Sequence, residues 1–312
     1  MPSAERKAPL IVLLGPTAVG KTAAAIELAT RLEGEIVSAD SRLFYRGMDI
    51  GTAKPSAEEQ RAVPHHLINV AEPDESWSLA QFQEAAYQAI DDIQQRGRLP
   101  FLVGGSGQYV RAITEGWTPP ELAARPELRQ ALEAWGEEIG VEKLHARLAR
   151  IDPGAAARMD RRNLRRIVRA LEVIYSTGRR FSEQKGKTEP RYKLIQIGLS
   201  RPREQLYARI DARIQAMLAA GWLTEIKGLL EKGYGAEHPS MSAIGYAQLM
   251  QHLEGELSLD EAVKLIQRAS RAFVRRQANW FKADDANIQW FEAGDTEMVE
   301  QIERAIKAGL ES

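Results

Sequence analysis

The chain has 312 residues, of which 44% are hydrophobic, and its formal net charge is −1 at pH 7. This length suits one large or two modest domains with a buried core, and a nearly neutral chain confines any nucleic-acid surface to a local patch. Because cysteine is absent, disulfides, thiolate zinc sites and cysteine nucleophiles are excluded.

A glycine-bounded turn follows the first predicted strand and opens the first predicted helix. Its spacing fits G-x-x-x-x-G-K-[ST] in full. Glycine lets the backbone point several N–H groups inward, and the helix N-terminus adds partial positive charge. We therefore predict a loop that binds a di- or triphosphate, with Lys21 neutralising phosphate and the Thr22 hydroxyl holding Mg²⁺. An ordinary strand-to-helix turn is the alternative. The loop comprises Gly15, Pro16, Thr17, Ala18, Val19, Gly20, Lys21 and Thr22.

Asp40 ends the second predicted strand, whose apolar residues give way to polar ones. In an open α/β sheet the ligand crevice lies outside the carboxyl ends of the strands, so Asp40 should point toward the phosphate loop. Its carboxylate suits three roles, namely a general base for an incoming nucleophile, a water-mediated Mg²⁺ ligand, or the cap of a turn. The residues by themselves leave all three roles open.

The first 115 residues alternate four times between strand and helix signals. A third strand is predicted at His66–Val70, and a fourth starts at Pro100 and runs into a second glycine-rich turn. Ser56 and Ser78 open capping boxes. His65 and the histidine after it lack metal-ligand spacing, so we interpret both as structural. The alternation predicts a parallel sheet with helices on both faces.

Residues 117–190 show helical periodicity and no convincing strand. A strand is then predicted at Tyr192–Leu199, before a helix capped by Ser200, and a last strand at Asn287–Phe291 precedes a terminal helix. Because strand signals stand on both sides of the helical block, we predict core segments 1–116 and 191–312 around a helical insertion domain at 117–190. The fold class is therefore α/β, a P-loop NTPase-like parallel sheet flanked by helices.

Residues 158–180 concentrate positive charge, with eight arginines against two acidic residues. Four of the arginines would share one face of a helix, because they stand three and four positions apart. A solvated charged face should interleave carboxylates, which are nearly absent here, so the pattern favours contact with a phosphate backbone. The four residues are Arg162, Arg165, Arg166 and Arg169.

A second basic cluster lies in the far half of the last long predicted helix, which begins with a capping box. Arg271, Arg275 and Lys282 recur on one face. Gln277 has an amide able to read base edges, and Trp280 has a ring able to stack on a base. The alternatives are that the cations complement the helix dipole and that the ring anchors the core.

Together these segments resemble the bacterial tRNA dimethylallyltransferases, also called tRNA isopentenyltransferases or the IPP transferase family. The resemblance covers most of the chain, and the segment after Asp40 is far more specific than the phosphate loop. Ser106 stands where the family usually has threonine, and Leu43 where many members have glutamine. The Cys/His zinc module of eukaryotic relatives is absent, which favours the bacterial type. The matching segments are Gly15–Thr22, Ser38–Ser41, Tyr45–Pro55, Leu102–Tyr109, Arg169–Val173, Ala243–Tyr246 and Arg275–Gln277 with Trp280.

The resemblance implies transfer of a dimethylallyl group from dimethylallyl diphosphate to the exocyclic N6 amine of the adenosine 3′-adjacent to a tRNA anticodon, with release of diphosphate. The phosphate loop would then bind the isoprenoid diphosphate and not ATP, with Mg²⁺ as cofactor. Asp40, Lys21 and Ser106 would be catalytic, Asp40 as a base or hydrogen-bond acceptor for the amine. The implied tRNA contacts are Asp40, Ser41, Arg42, Leu43, Ser106, Arg129, Arg165, Arg166, Ile167, Val168, Arg169, Ser242, Ala243, Ile244, Gly245, Tyr246, Arg275, Arg276, Gln277, Trp280 and Lys282.

The main alternative function is an ATP-dependent nucleoside or small-molecule kinase, which shares a phosphate loop, a Mg²⁺ site and a helical lid. The arginine clusters count against it, since a small acceptor needs no extended cationic surface. A GTPase-like switch is disfavoured because an Asn-Lys-x-Asp guanine motif is absent. No apolar run approaches the roughly 18 residues of a membrane span, and the polar start of the chain lacks a signal-type stretch, so we expect a cytoplasmic protein. We also expect a monomer.

Overall fold

The structure is a computed structural model that describes residues 7–120, 125–184 and 186–312. The strands are β1 (Pro9–Leu14), β2 (Gly34–Ser38), β3 (His65–His66), β4 (Leu99–Gly104), β5 (Trp117–Thr118), β6 (Gly186–Lys187), β7 (Lys193–Ser200) and β8 (Ile288–Glu292). The α-helices are α1 (Lys21–Arg31), α2 (Ala57–Ala62), α3 (Leu79–Gln95), α4 (Gly107–Thr114), α5 (Pro126–Ile139), α6 (Val141–Ile151), α7 (Pro153–Ala156), α8 (Leu164–Thr177), α9 (Arg203–Ala219), α10 (Trp222–Glu231), α11 (Tyr246–Leu253), α12 (Leu259–Ala278) and α13 (Met298–Glu311). Residues 1–6, which carry most of the polar start of the chain, lie outside the described residues.

Six strands form one parallel sheet in the order β3-β2-β4-β1-β7-β8. Residues Leu10–Leu14 of the interior strand β1 are at most 1% exposed, as expected for a strand covered on both faces. Helices α1 and α3 pack against β4, and α13 packs against β7 and β8. The predicted α/β fold, a parallel sheet flanked by helices, is confirmed.

The described residues form two compact units. The first, which we call the sheet unit, runs up to Thr114 and resumes at Pro190–Ser312, and it contains the six-stranded sheet. The second, the insertion unit, is Glu115–Glu189 and contains α5 to α8 and the antiparallel pair β5 and β6. Each unit has a hydrophobic core of its own. In the described ranges, every helix is too short or too polar to span a lipid bilayer.

Three predicted local features differ from the structure. Strand β3 has only two residues, because Leu67 and Asn69 adopt left-handed φ values of 60° and 56° that end the extended chain. The block predicted to be helical contains β5 and β6, which at two residues each are too short to show an alternating pattern. The cap predicted at Ser200 is wrong, because Ser200 ends β7 and Pro202 takes the cap position of α9. The capping boxes at Ser56, Ser78 and Ser258 are confirmed.

The two histidines of β3 have structural partners, as predicted. His65 Nδ1 lies 2.7 Å from the carbonyl oxygen of Val63, and His66 Nε2 lies 2.8 Å from Glu35 Oε2. Hydrogen bonds from Arg96 lower the pKa of the buried Glu35 to about 2, although burial opposes this shift. Glu35 is the second residue of β2, so this cluster is remote from the edge where the strands end.

Candidate active site

Three loops leave the sheet side by side at its carboxyl edge. Strands β2, β4 and β1 are neighbours, and the parallel register pairs Leu14 with Gly104 and Ser38 with Val103. The phosphate loop after β1, the turn at Asp40 after β2 and the glycine turn after β4 therefore start at nearly the same level. This is the edge at which ligands bind in open parallel sheets.

The predicted phosphate loop has the expected strand, turn and helix. Gly20 and Ala18 adopt left-handed φ values of 115° and 64°, and α1 begins directly at Lys21. A Cβ atom on Gly15 would lie 2.6 Å from the carbonyl oxygen of Leu199, so only glycine fits this close approach to β7. The loop thus curls tightly at a helix N-terminus, the arrangement that binds phosphate.

Lys21 folds over the loop that precedes it. Its Nζ donates to the carbonyl oxygens of Gly15 at 3.1 Å and Pro16 at 2.9 Å. Burial lowers the pKa of Lys21 to about 8, with the negative charge of Asp40 opposing the shift and Arg213 adding to it. No carboxylate of the described residues lies within ion-pair distance of Nζ. A half-buried cation without a paired carboxylate is suited to receive an anion.

Two arginines of α9 reach the same place, and sequence analysis missed both. Arg209 Nε donates to the carbonyl oxygen of Ala18 at 2.8 Å. Arg213, one turn later, interacts electrostatically with Asp40 and Lys21, and burial lowers its pKa. Their spacing of four residues, on the helix that follows a core strand, is the only sequence signal that could have identified them.

Asp40 is held by a tight turn. Its Oδ1 accepts the N–H of Arg42 at 3.0 Å, and its carbonyl oxygen accepts the N–H of Leu43 at 3.1 Å. The turn-cap role left open by the sequence is therefore observed. It occupies Oδ1 only, so Oδ2 stays available for a second role beside Lys21 and Arg213.

Gln277 of α12 joins two of the three loops. Its Oε1 accepts the N–H of Thr17 at 2.9 Å, and its Nε2 donates to the carbonyl oxygen of Gly105 at 2.9 Å. The side chain is only 4% exposed. Both polar ends of this amide are therefore bonded inside the protein, and its reading of a nucleic-acid base stays a prediction.

Glu225 of α10 fastens the segment that follows Asp40, and it too was missed. Its carboxylate accepts three successive backbone N–H groups, those of residues 49–51, at 2.7 to 3.2 Å. It also accepts the hydroxyl of Tyr246 at 2.5 Å. Burial and this carboxylate raise the pKa of the Tyr246 hydroxyl. Glu225 thus ties the most family-specific segment of the sequence to the start of α11.

The predicted RNA contacts at residues 242–246 are only partly accessible. The side chains of Tyr246 and Ala243 are at most 3% exposed, and contact of these residues with RNA stays a prediction. Gly245 is buried against Trp222, whose ring would lie 2.0 Å from a Cβ atom at that position. Ser242 is exposed and Ile244 is half-buried. These last two remain candidates for contact with a partner.

A cavity of about 530 Å³ is lined mainly by the segment that follows Asp40 and by α9. Ile50, Ala53 and Met217 supply apolar lining, and Lys54 and Arg213 supply positive charge. Lys54 is held in place by Asp49 Oδ1 at 2.5 Å and by two further oxygens. Arg213 lines this cavity and also interacts electrostatically with Asp40 and Lys21. Its size is typical of pockets for small ligands.

Comparison with known proteins identifies the family. The family model described as IPP transferase matches residues 43–284. The chain belongs to this family. A tRNA dimethylallyltransferase of Roseiflexus sp. (strain RS-1) is 54% identical over 274 residues, which are 88% of this chain and 90% of that protein. One from Roseiflexus castenholzii is 49% identical over 304 residues, 97% and 99% of the two chains. The crystal structure of the full-length tRNA isopentenylpyrophosphate transferase from Bacillus halodurans matches with a TM-score of 0.73 and 42% identity, over 98% of this chain and 97% of that one.

In this member of the IPP transferase family, the arginine helix of the insertion unit starts later than predicted. Asn163 caps α8 by accepting the N–H of Arg166 at 3.2 Å, so Arg162 precedes the helix and does not share its face. Arg165 and Arg166 are exposed. The side chains of Ile167 and Val168 are buried in the core of the unit, and contact of these two residues with tRNA stays a prediction.

Two other predicted RNA contacts of the insertion unit hold a buried carboxylate. Glu172 is 0% exposed and accepts Arg169 Nη1 at 2.8 Å, Arg129 Nη2 at 2.9 Å and the N–H of Arg125 at 3.3 Å. Burial favours the neutral acid, but the hydrogen bonds from both guanidinium groups outweigh it and lower the pKa of Glu172. Arg129 and Arg169 therefore have a structural role, whatever else they contact.

The basic end of α12 is also less uniform than its sequence. Arg275 and Arg276 are exposed, whereas Arg271 donates to Asp211 Oδ2 at 2.5 Å. Spacing predicted that Lys282 continues the face of this helix. That prediction is wrong, because the helix ends at Ala278 and the exposed Lys282 lies beyond it. Trp280 is half-buried against α4, where a Cβ atom on Gly107 would lie 2.2 Å from its ring. The core-anchor alternative for Trp280 is therefore observed.

Proposed function

We propose that the chain transfers a dimethylallyl group from dimethylallyl diphosphate to the exocyclic amine of the adenosine 3′-adjacent to the anticodon of a tRNA. Membership of the IPP transferase family and the activity named for its relatives support this reaction. The observation that carries the proposal is the juxtaposition of the cations Lys21 and Arg213 at a phosphate loop with the single carboxylate of Asp40.

The donor would place its diphosphate on the amides of the phosphate loop. Lys21 and Arg213 would neutralise its charge there, and Arg209 would support the loop through its bond to Ala18. The adjoining cavity offers apolar surface beside cationic groups, for example Ile50 and Met217 near Arg213. This combination suits an isoprenoid diphosphate, whose tail is apolar and whose head is anionic.

The transfer forms a bond between the adenine nitrogen and C1 of the dimethylallyl group and breaks the bond between C1 and the diphosphate oxygen. Diphosphate leaves with the bonding electrons, and the charge that develops on it is stabilised by Lys21, Arg213 and the loop amides. Asp40 Oδ2 accepts the proton that the amine loses and orients the amine before attack. Ser106, at the start of α4, lies on the adjacent loop and would contact the reacting groups.

Residues at the loop also fit Mg²⁺. Thr22 is exposed in the first turn of α1, directly after Lys21, and its hydroxyl is a hard oxygen ligand. In the described part of the chain, no cluster of three acidic or histidine side chains could hold a metal ion. Mg²⁺ would thus be held by Thr22 together with diphosphate oxygens and water, as is usual for this ion. When bound, it supplies further neutralisation of the departing diphosphate.

The acceptor would be held mainly through its phosphates. Exposed cations suited to this are Arg165 and Arg166 in the insertion unit and Arg275, Arg276 and Lys282 in the sheet unit. An adenine must leave its stack to reach Asp40, which costs a few kcal/mol that such contacts can offset. Near the turn at Asp40, further polar contacts to the acceptor would come from Ser41, Arg42 and Ser242.

A direct assay tests the proposal. Purified protein is incubated with labelled dimethylallyl diphosphate, Mg²⁺ and unmodified tRNA, and label is measured on the RNA. We expect label on this tRNA and none on a matched tRNA with guanosine at the target position. If the protein instead transferred phosphate from ATP to a small acceptor and left the RNA unlabelled, the kinase alternative would replace the transferase.

A further inference from the structure

Gln277 of α12 forms a hydrogen bond to the phosphate loop. Its neighbour Arg276 is exposed, so consecutive residues of the helix face solvent and the interior. Gln277 spans from the N–H of Thr17 to the carbonyl oxygen of Gly105 with two bonds of 2.9 Å each. A side chain that binds both loops determines the distance between them.

The packing around Gly105 shows how closely these groups converge. A Cβ atom added there would lie 2.4 Å from Gln277 Nε2, 2.9 Å from the carbonyl oxygen of Gly15 and 3.3 Å from Lys21 Nζ. The amide of Gln277 therefore lies among the atoms that also position Lys21. A change in this amide must alter the spacing between the phosphate loop and the turn after β4.

The chemistry of the position requires an amide. Gln277 donates at one end and accepts at the other, whereas a carboxylate can only accept and a hydrocarbon can do neither. Since the site is buried, an N–H or carbonyl group left unpaired there carries its full desolvation penalty. The neighbouring bond between Arg271 and Asp211 ties α12 to α9, which itself contacts the loop through Arg209. The loop is thus held by two connected helices.

We infer that Gln277 is a positioning residue for the diphosphate donor and not a contact for RNA. It fixes the Thr17 peptide so that the other amides of the loop and Lys21 face the diphosphate together. This inference rests on the proposed function for the identity of the donor. It also assigns opposite tasks to adjacent residues, since Arg276 points outward toward the polyanionic acceptor.

Steady-state kinetics of two variants, Gln277→Leu and Arg276→Ala, test the inference, because the two changes should affect different substrates. For Gln277→Leu we expect the KM for dimethylallyl diphosphate to rise about tenfold or more, with the KM for tRNA and its salt dependence unchanged. For Arg276→Ala we expect the KM for tRNA and its salt dependence to change, with the KM for dimethylallyl diphosphate unchanged. Gln267→Leu, a change of the same type elsewhere on α12, should leave both KM values as in the unmodified protein. A rise in the KM for tRNA alone in Gln277→Leu would overturn the inference.

Two further measurements cover misfolding and failure of the proposed activity. Gln277→Asn keeps the amide but is one methylene shorter, so it cannot span both loops. This variant should bind the donor more weakly and retain the fold, which thermal unfolding checks. Equilibrium binding of inorganic diphosphate to the protein does not require turnover. If the unmodified protein bound diphosphate but transferred no prenyl group, the proposed function would fail while the role of Gln277 could still be measured. Equal diphosphate affinity in the unmodified protein and in Gln277→Asn would overturn that role.

Discussion

Lys21 of the sheet unit and two arginines of the insertion unit differ in how their charge is compensated. In the insertion unit, Arg129 and Arg169 both bind the buried carboxylate of Glu172, so each guanidinium group has a carboxylate partner within the protein. In the sheet unit, Lys21 donates only to backbone carbonyl oxygens, and burial lowers its pKa to about 8 although the negative charge of Asp40 opposes the shift. The sheet unit therefore bears the electrostatic cost of an unpaired cation.

The difference separates structural charges from charges that await a ligand. A paired, buried ion contributes to the fold, and removing one partner leaves the other uncompensated. An unpaired cation beside a phosphate loop gains its partner only when an anion binds. The net positive charge of a segment, such as residues 158–180, does not show which of its cations are paired and which await a ligand.

The largest expected effect is that of Asp40→Asn on turnover. Asparagine keeps an oxygen for the N–H of Arg42, so the turn should persist, but it cannot accept the proton of the attacking amine. We expect kcat to fall by about 10²- to 10⁴-fold, the range for a lost general base, with tRNA affinity retained. Single-turnover assays with saturating donor and tRNA measure this.

The exposed Asp74→Asn provides the matched control for loss of one carboxylate in the sheet unit and should retain full activity. Unchanged kcat in Asp40→Asn would show that the unpaired cations act without a base, and the proposed role of Asp40 would be wrong.

How well the sequence predicts a site residue depends on how far that residue lies along the chain from the residues that it contacts. The phosphate loop is contiguous, and Asp40 follows from a general property of parallel sheets, so both were found from local signals. Arg213, Glu225 and Gln277 contact loops that lie more than 170 residues earlier in the chain. No local pattern encodes such contacts, because packing of α9, α10 and α12 on the sheet creates them.

The arginine helix shows a related limit of spacing. Helical spacing places Ile167 and Val168 on an apolar face beside the arginines, and the helix buries that face in the core of the insertion unit. Spacing also counts Arg169 among the cations for a phosphate backbone, whereas Glu172, one turn away, pairs with it. A pattern identifies which residues share a surface, and the surrounding fold decides whether that surface is exposed.

The second prediction concerns pH. Because the pKa of Lys21 is about 8 without an anion and diphosphate favours the charged form, binding takes up a proton above that pH. The affinity for dimethylallyl diphosphate should therefore be nearly constant from pH 7 to 8 as far as Lys21 is concerned. It should then fall by up to about tenfold per pH unit above pH 8. Calorimetric titration across this range measures it.

Lys21→Met supplies the control for this pH dependence. Its affinity for the donor should be weaker at pH 7 and flat between pH 8 and 9, because the titrating group is gone. In Asp40→Asn the decline should begin at a lower pH, since the charge of Asp40 normally raises the pKa of Lys21. A decline of the same size in Lys21→Met would assign the titration to another group.

The smallest expected effect compares Arg165→Ala with Arg169→Ala on the same helix. Arg165 is exposed, so its loss should weaken tRNA binding several-fold, reduce the slope of log K against log salt by about one, and leave thermal stability within about 0.5 kcal/mol. Arg169→Ala removes a hydrogen bond from the buried Glu172 and should lower the free energy of unfolding by about 1 to 3 kcal/mol. If Arg169→Ala changed the salt slope as much as Arg165→Ala while stability held, the pairing with Glu172 would not distinguish structural from ligand-binding cations.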